Sequence, residues 1–157
     1  MMKKPVFLLL VGLFLFCVLL SGCGLFNDDV SEDRIFEYVS NNHEILECIA
    51  KDEIPSEKAE EEAMIRDRLD KRTIVKSIYR YNDNNVVFYC GGTGSATNST
   101  YSGFYYSADD TPFAMEFSSA ELAETSPGVY EWKSNTGEAI TTERIMPNWF
   151  YFYMEWL

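Results

Sequence analysis

The sequence predicts an α+β fold: two N-terminal helices packed on an antiparallel meander sheet of about six to seven strands. Three observations lead there. Apolar residues recur at helical spacing between residues 31 and 51. From Thr73 the period falls to two, and aromatic and β-branched residues dominate. Turn-forming clusters then interrupt the chain at short intervals, and short connections favour pairing between consecutive strands.

The first helix starts after Asp29 or Ser31, either of which can cap it, with Glu32 and Asp33 suited to its positive end. Ile35, Val39, Leu46 and Ile49, joined by Tyr38, Asn42 and Ile45, approximate one face of a helix from about 31 to 51. Pro55-Ser56 opens a second, highly charged helix to about Leu69, with only Ala59, Ala63, Met64, Ile65 and Leu69 to bury. Its acidic start (Glu57, Glu60, Glu61, Glu62) and basic continuation (Arg66, Arg68, Lys71, Arg72) read as a solvated face.

The expected strands are 73–81, 86–90, 101–107, 113–117, 129–133, 138–145 and 149–156. Between them lie Asn82-Asp83-Asn84-Asn85, a long Gly/Ser/Thr loop from Gly91 to Thr100, Ala108-Asp109-Asp110-Thr111-Pro112, a second loop through Pro127-Gly128, Ser134-Asn135-Thr136-Gly137, and Pro147-Asn148. No internal repeat or second domain is visible, so residues 31–157 form a single domain.

Residues 1–22 do not belong to that domain. Lys3 and Lys4 precede an uncharged apolar run from Pro5 to Leu20, shorter than the roughly 20 apolar residues of a membrane-spanning helix and shaped like the core of a signal peptide. It ends in Leu20-Ser21-Gly22-Cys23, which resembles the lipobox of bacterial lipoproteins. That resemblance implies cleavage before Cys23, a diacylglyceryl thioether on its sulfur and a place on the extracytoplasmic face of the cell membrane. One acyl chain anchors a protein only marginally, and a diacylglyceryl group supplies two at one residue. Residues 23–30 then act as a tether of about 20 Å at full extension. Cys17 leaves with the signal.

Loss of Lys3 and Lys4 deepens a net charge that is already −12. Such acidity argues against nucleic acid, whose phosphates need basic surface, and against a polybasic grip on anionic lipids. Gly103-Phe104-Tyr105-Tyr106-Ser107, with Asp109-Asp110 and Pro112, and the run Asn148 to Tyr153 resemble small exported proteins of low-GC Gram-positive bacteria. That resemblance carries no catalytic residue across.

Catalytic chemistry finds little support. The only histidine, His43, lies mid-helix, and no Gly-x-Ser-x-Gly is present. Gly91-Gly92-Thr93-Gly94-Ser95 lacks the lysine and following helix of a phosphate loop. Asn98-Ser99-Thr100 matches a glycosylation sequon, which means little in a bacterial lipoprotein. Asp109 and Asp110 suit a turn better than a cation, and two separated cysteines with one histidine make no zinc set. No cofactor or metal is expected.

Two groupings remain. Cys48, between Ile45 and Ile49, and Cys90, on the side of Val86 and Phe88, both point toward one core and form a candidate disulfide, with two free thiols as the alternative. In the C-terminal run, alternation places Phe150, Phe152, Met154 and Trp156 on one face, expected to be the core under the first helix. Trp149, Tyr151, Tyr153 and Glu155 take the other. Each carries a polar handle, so this face, with Tyr105 extending it if strand order allows, is either a binding surface or a second small core. The leading functional reading is a non-enzymatic lipoprotein whose domain binds an envelope protein, or else cell-wall glycan. An envelope enzyme built on carboxylates and an immunity or exclusion lipoprotein stay open beside it.

Overall fold

The computed structural model describes residues 29–51, 73–95, 98–117 and 120–157. Within them one helix, α1 (Glu32–Lys51), precedes seven strands: β1 (Ser77–Asn82), β2 (Asn85–Ser95), β3 (Asn98–Ser107), β4 (Ala123–Ser126), β5 (Val129–Lys133), β6 (Ala139–Met146) and β7 (Trp149–Trp156). The second helix expected at 55–69 and the signal segment with Cys23 lie outside the described residues. No helix among the described residues is long and apolar enough to cross a membrane.

α1 begins where expected. The Ser31 carbonyl accepts the Ile35 N–H at 3.2 Å, and Glu32 and Asp33 occupy the positive end. Its stripe of Ile35, Val39, Leu46, Ile49 and Ala50 is buried, while Ile45 lies off that stripe and is 41% exposed. At the other end Arg80 Nη2 donates to the Ala50 carbonyl at 3.0 Å, satisfying one of the four carbonyls a helix terminus leaves without intrahelical donors.

The strands form one antiparallel sheet in the order β1-β2-β3-β7-β6-β5-β4. A simple meander would have placed β4 beside β3. Instead β1-β2-β3 and β4-β5-β6-β7 are two meanders, joined where β7 returns to lie against β3 from Ser99↔Trp156 to Tyr106↔Trp149. The centre of a sheet is where both faces can be covered, and the chain's most aromatic segment occupies it. Residues 113–117, expected as a strand, are a loop that folds onto the sheet, with buried Met115 at φ 46°. The Tyr81 hydroxyl donates to the Met115 carbonyl at 2.7 Å and fastens that loop. β4 was not expected. Its four residues are all exposed, so no alternation betrays it.

The faces of β7 separate as expected, but the helix covers the opposite one. α1 packs on Trp149, Tyr151 and half-buried Tyr153, together with Val86, Phe88, Cys90, Phe104 and Tyr106. Phe150, Phe152 and Met154 pack with Val87, Tyr105, Met115 and Ile140 under residues 113–117 and 120–122. Trp149 and Tyr151 are therefore buried, at 2% and 6% exposure, and make no open binding face. Tyr105 is fully buried and lies on the other side of the sheet, opposite Phe150 in register. A polar handle does not force exposure, because a large ring buries its body wherever its tip finds a partner. Tyr105 has one. Its hydroxyl accepts the Phe113 N–H at 3.3 Å and donates to Thr142 Oγ1 at 2.8 Å, which in turn donates to the Tyr151 carbonyl at 2.7 Å. Burial pushes the pKa of that hydroxyl up, so it stays a neutral donor.

The candidate disulfide is not formed. Cys48 and Cys90 are both free, the first exposed and the second buried in the core under α1. One helical step of about 100° separates Cys48 from buried Ile49 and turns it to solvent. Burial pushes the Cys90 thiol up to about 12.

Two outcomes follow from this packing. Trp149→Ala and Phe150→Ala strike opposite faces of β7, and each is expected to cost about 3–5 kcal/mol in denaturant unfolding. A near-neutral result for either means that face is not a packed core. In native protein treated with iodoacetamide, peptide mapping should find Cys48 alkylated and Cys90 unmodified until denaturant is added. Early labelling of Cys90 contradicts its burial.

Candidate binding groove

The chemistry-bearing residues singled out in the sequence are mostly committed to the fold. His43 Nδ1 lies 3.0 Å from the Ser40 carbonyl on its own helix. Among the described residues no group of three or more His, Cys, Asp or Glu side chains is placed to hold a metal ion. Asp109 accepts from Asn84 Nδ2 at 2.7 Å, tying two turns together. Asp110, at φ 54°, accepts the Asn148 N–H at 2.7 Å and an ion pair from Arg144, whose guanidinium carbon sits 4.7 Å from the centre of the Phe150 ring. The Asn148 side chain donates in turn to the Ser107 and Ala108 carbonyls. This network joins the turn after β3 to the turn before β7. It is structural, as the turn reading of these aspartates implies.

The open ground lies at the far end of β2 and β3. Residues 91–95 and 98–100, expected within a loop, continue the two strands as a long arm. Glycine is a poor strand former, yet the arm is stitched by Thr93 and Thr100, whose hydroxyls lie 2.9 Å apart. A bulge at Cys90 precedes it: Tyr89 pairs with Gly103, but Gly91 pairs with Ser102. β1 accompanies β2 only as far as Ser77↔Tyr89, with one more bond from the Lys76 N–H to the Tyr89 carbonyl at 2.7 Å. There the chain leaves the edge. Ile74 enters the core, and Thr73 Oγ1 lies 2.9 Å from the Tyr38 hydroxyl.

A groove of about 730 Å³ runs along the arm, lined by Lys76, Ser77, Tyr89, Gly91 to Ser95 and Ser99 to Tyr101 among the described residues. Tyr79, Tyr89 and Tyr101 form a row across β1, β2 and β3, with ring centres 5.5 Å and 6.1 Å apart. Tyr101 closes the row at 40% exposure. A second hollow of about 500 Å³ shares Tyr89, Ser99 and Tyr101 with the first and is bounded by Glu116 and Trp156. Tyr89 and Tyr101 thus stand as a ridge between two depressions. Burial raises the hydroxyl pKa of Tyr89 and, further, of Tyr79, so both rings remain neutral. The arrangement offers flat aromatic surface, neutral hydroxyls and bare backbone, which suits reversible binding. The sequence reading missed it because Tyr89 and Tyr101 meet only once the register of β2 against β3 is known. Two tyrosines flanking a glycine-rich stretch were the available signal.

No protein-family model, curated protein or solved structure matches the chain.

The Asp110 network makes stability depend on acid. The Asn148 N–H, aided by Arg144, holds the Asp110 carboxyl below the ordinary aspartate range. A carboxyl lowered on folding adds stability that is fully present above its unfolded pKa, about 3.9, and is lost as pH falls through the folded value. Asp110→Asn keeps a residue tolerant of positive φ but removes the charge. Because both partners are partly exposed, it is expected to cost about 1 kcal/mol or less near pH 7. The gap to the parent protein should narrow as pH falls below about 3.9 and close once it is below the lowered folded value, in denaturant titrations. A gap that widens on acidification would reverse the assignment.

Proposed function

We propose that this protein is a lipoprotein anchored through Cys23 at the extracytoplasmic face of the cell membrane, and that its domain binds an envelope partner without catalysis. The anchoring half rests on Leu20-Ser21-Gly22-Cys23 following a basic start and an uncharged apolar run. The binding half rests on one observation, the Tyr89–Tyr101 ridge standing between two hollows with Tyr101 open to solvent. Aromatic rings supply contact area with little rotamer entropy to lose. The groove replaces the Trp149, Tyr151 and Tyr105 surface, which the two cores consume. A partner protein of the envelope is the first candidate and cell-wall glycan the second. Nucleic acid is disfavoured by the acidic charge.

Two substitutions test the halves separately. Cys23→Ser should abolish incorporation of labelled fatty acid and move the protein from the membrane pellet to the soluble fraction. Tyr101→Ala should leave the unfolding free energy within about 0.5 kcal/mol of the parent, as expected of a surface change, while reducing recovery of a crosslinked envelope partner at least about tenfold. Labelling that survives the first change refutes the anchor. Undiminished crosslinking after the second refutes the groove.

A further inference from the structure

We infer that the second hollow, between the Tyr89–Tyr101 ridge, Trp156 and Glu116, takes a cationic side chain, lysine or arginine, presented by the envelope partner. This rests on the ridge being the binding site, but not on the lipid anchor.

The hollow of about 500 Å³ joins two chemistries that favour a cation. The first is aromatic. Tyr89, Tyr101 and Trp156 all line it. The rings of Tyr89 and Tyr101 stand at 74° to each other with centres 6.1 Å apart, so they form a corner rather than one flat wall. Trp156 rests against Phe117, ring centres 4.8 Å apart, which holds the largest of these rings in place. The face of an aromatic ring is negative, and a lysine or arginine head within about 6 Å of its centre is drawn to it. Arg144 over Phe150 shows the same contact elsewhere in this fold.

Glu116 supplies the second. The left-handed backbone at Met115, fastened by the Tyr81 hydroxyl on its carbonyl, brings the next residue to the edge of the hollow. Glu116 is exposed, and the hydrogen bond it accepts from the Tyr79 hydroxyl is long, at 3.5 Å. No lysine or arginine among the described residues pairs with it. An ionised carboxylate has about four acceptor sites, so Glu116 keeps room for a charged donor. Its field reaches the ridge: after burial, the Glu116 charge is the next cause that raises the Tyr89 hydroxyl. Ser99 adds a further acceptor, and the described lining of this hollow holds no lysine or arginine.

These groups select the occupant. An acidic side chain would be repelled by Glu116, and a sugar would leave its charge unanswered. A quaternary ammonium would suit the rings but has no N–H for Glu116 or Ser99. A lysine or arginine head meets rings and acceptors together. The net charge of −12 draws basic segments toward the chain from a distance.

The test titrates the full-length protein in detergent with N-acetyl-lysine methylamide and N-acetyl-arginine methylamide, followed at the Trp156 indole N–H by NMR. At least one probe should shift that resonance, with an affinity that falls as salt is added. Acetylating the lysine probe at Nε, or replacing arginine with citrulline, should weaken binding at least about tenfold. Glu116→Gln should weaken the charged probes similarly and leave the unfolding midpoint unchanged. The stronger of the two probes identifies the head group. The inference is overturned if neutral probes bind as well as charged ones, if Glu116→Gln has no effect, or if neither cation moves the Trp156 signal. Tighter binding of tetramethylammonium than of either probe would also overturn it and assign the hollow to a quaternary headgroup. Each of these failures leaves the ridge as the binding site. That underlying reading fails separately, if Tyr101→Ala leaves partner crosslinking intact.

Discussion

The pairing of β3 with β7 is the constraint on which the rest of the structure depends. Its register sets Tyr105 against Phe150 and Phe104 against Tyr151, so every residue from 102 to 107 is buried on one face or the other. Two central strands with dry faces need cover on both sides. The helix supplies one cover and the loop residues 113–117 and 120–122 the other. This explains why the loop abandons strand geometry: Met115 takes a left-handed backbone to lay Ala114 and its own side chain on the sheet.

The same pairing decides what the aromatic residues can do. Tyrosines and tryptophans near the sheet centre become packing, and their polar atoms are answered internally, as in the chain from Phe113 through Tyr105 and Thr142 to Tyr151. Only toward the far end of β2 and β3, where neither cover reaches fully, do rings stay open. There the bulge at Cys90 and the departure of the chain at Lys76 end the β1 pairing while the arm continues. Open aromatic surface arises where coverage stops. Its chemistry follows from the residues the arm tolerates, which are glycine, threonine and serine between two tyrosines.

An acidic domain held close to a membrane would find electrostatic attachment to anionic lipid unfavourable, and a covalent anchor removes the need for it. The proposed short tether, with a shallow groove, would suit encounters with partners already at the surface. On the proposed reading, confinement of the groove and its partner to one membrane raises their effective concentration.

Local pattern determined much of this protein. The boundaries of α1, the strands β5, β6 and β7 to within a residue or two, the turns at 82–85 and 147–148, and the segregation of Phe150, Phe152 and Met154 from Trp149 and Tyr151 all follow from periodicity and turn chemistry. These depend on neighbours within a few residues. Tertiary structure decided which face of β7 the helix covers, because alternation divides a strand into two faces without ranking two that are both apolar enough to bury. Rotation about α1 likewise sent Cys48 outward, a difference of one helical step that two neighbouring isoleucines could not resolve, while Cys90 lies inward with Val86 and Phe88 as alternation implied. The return of β7 to β3 pairs residues 43 to 57 positions apart, and the loop over the second face is fastened to Tyr81, 34 positions from Met115, so no local spacing encodes either.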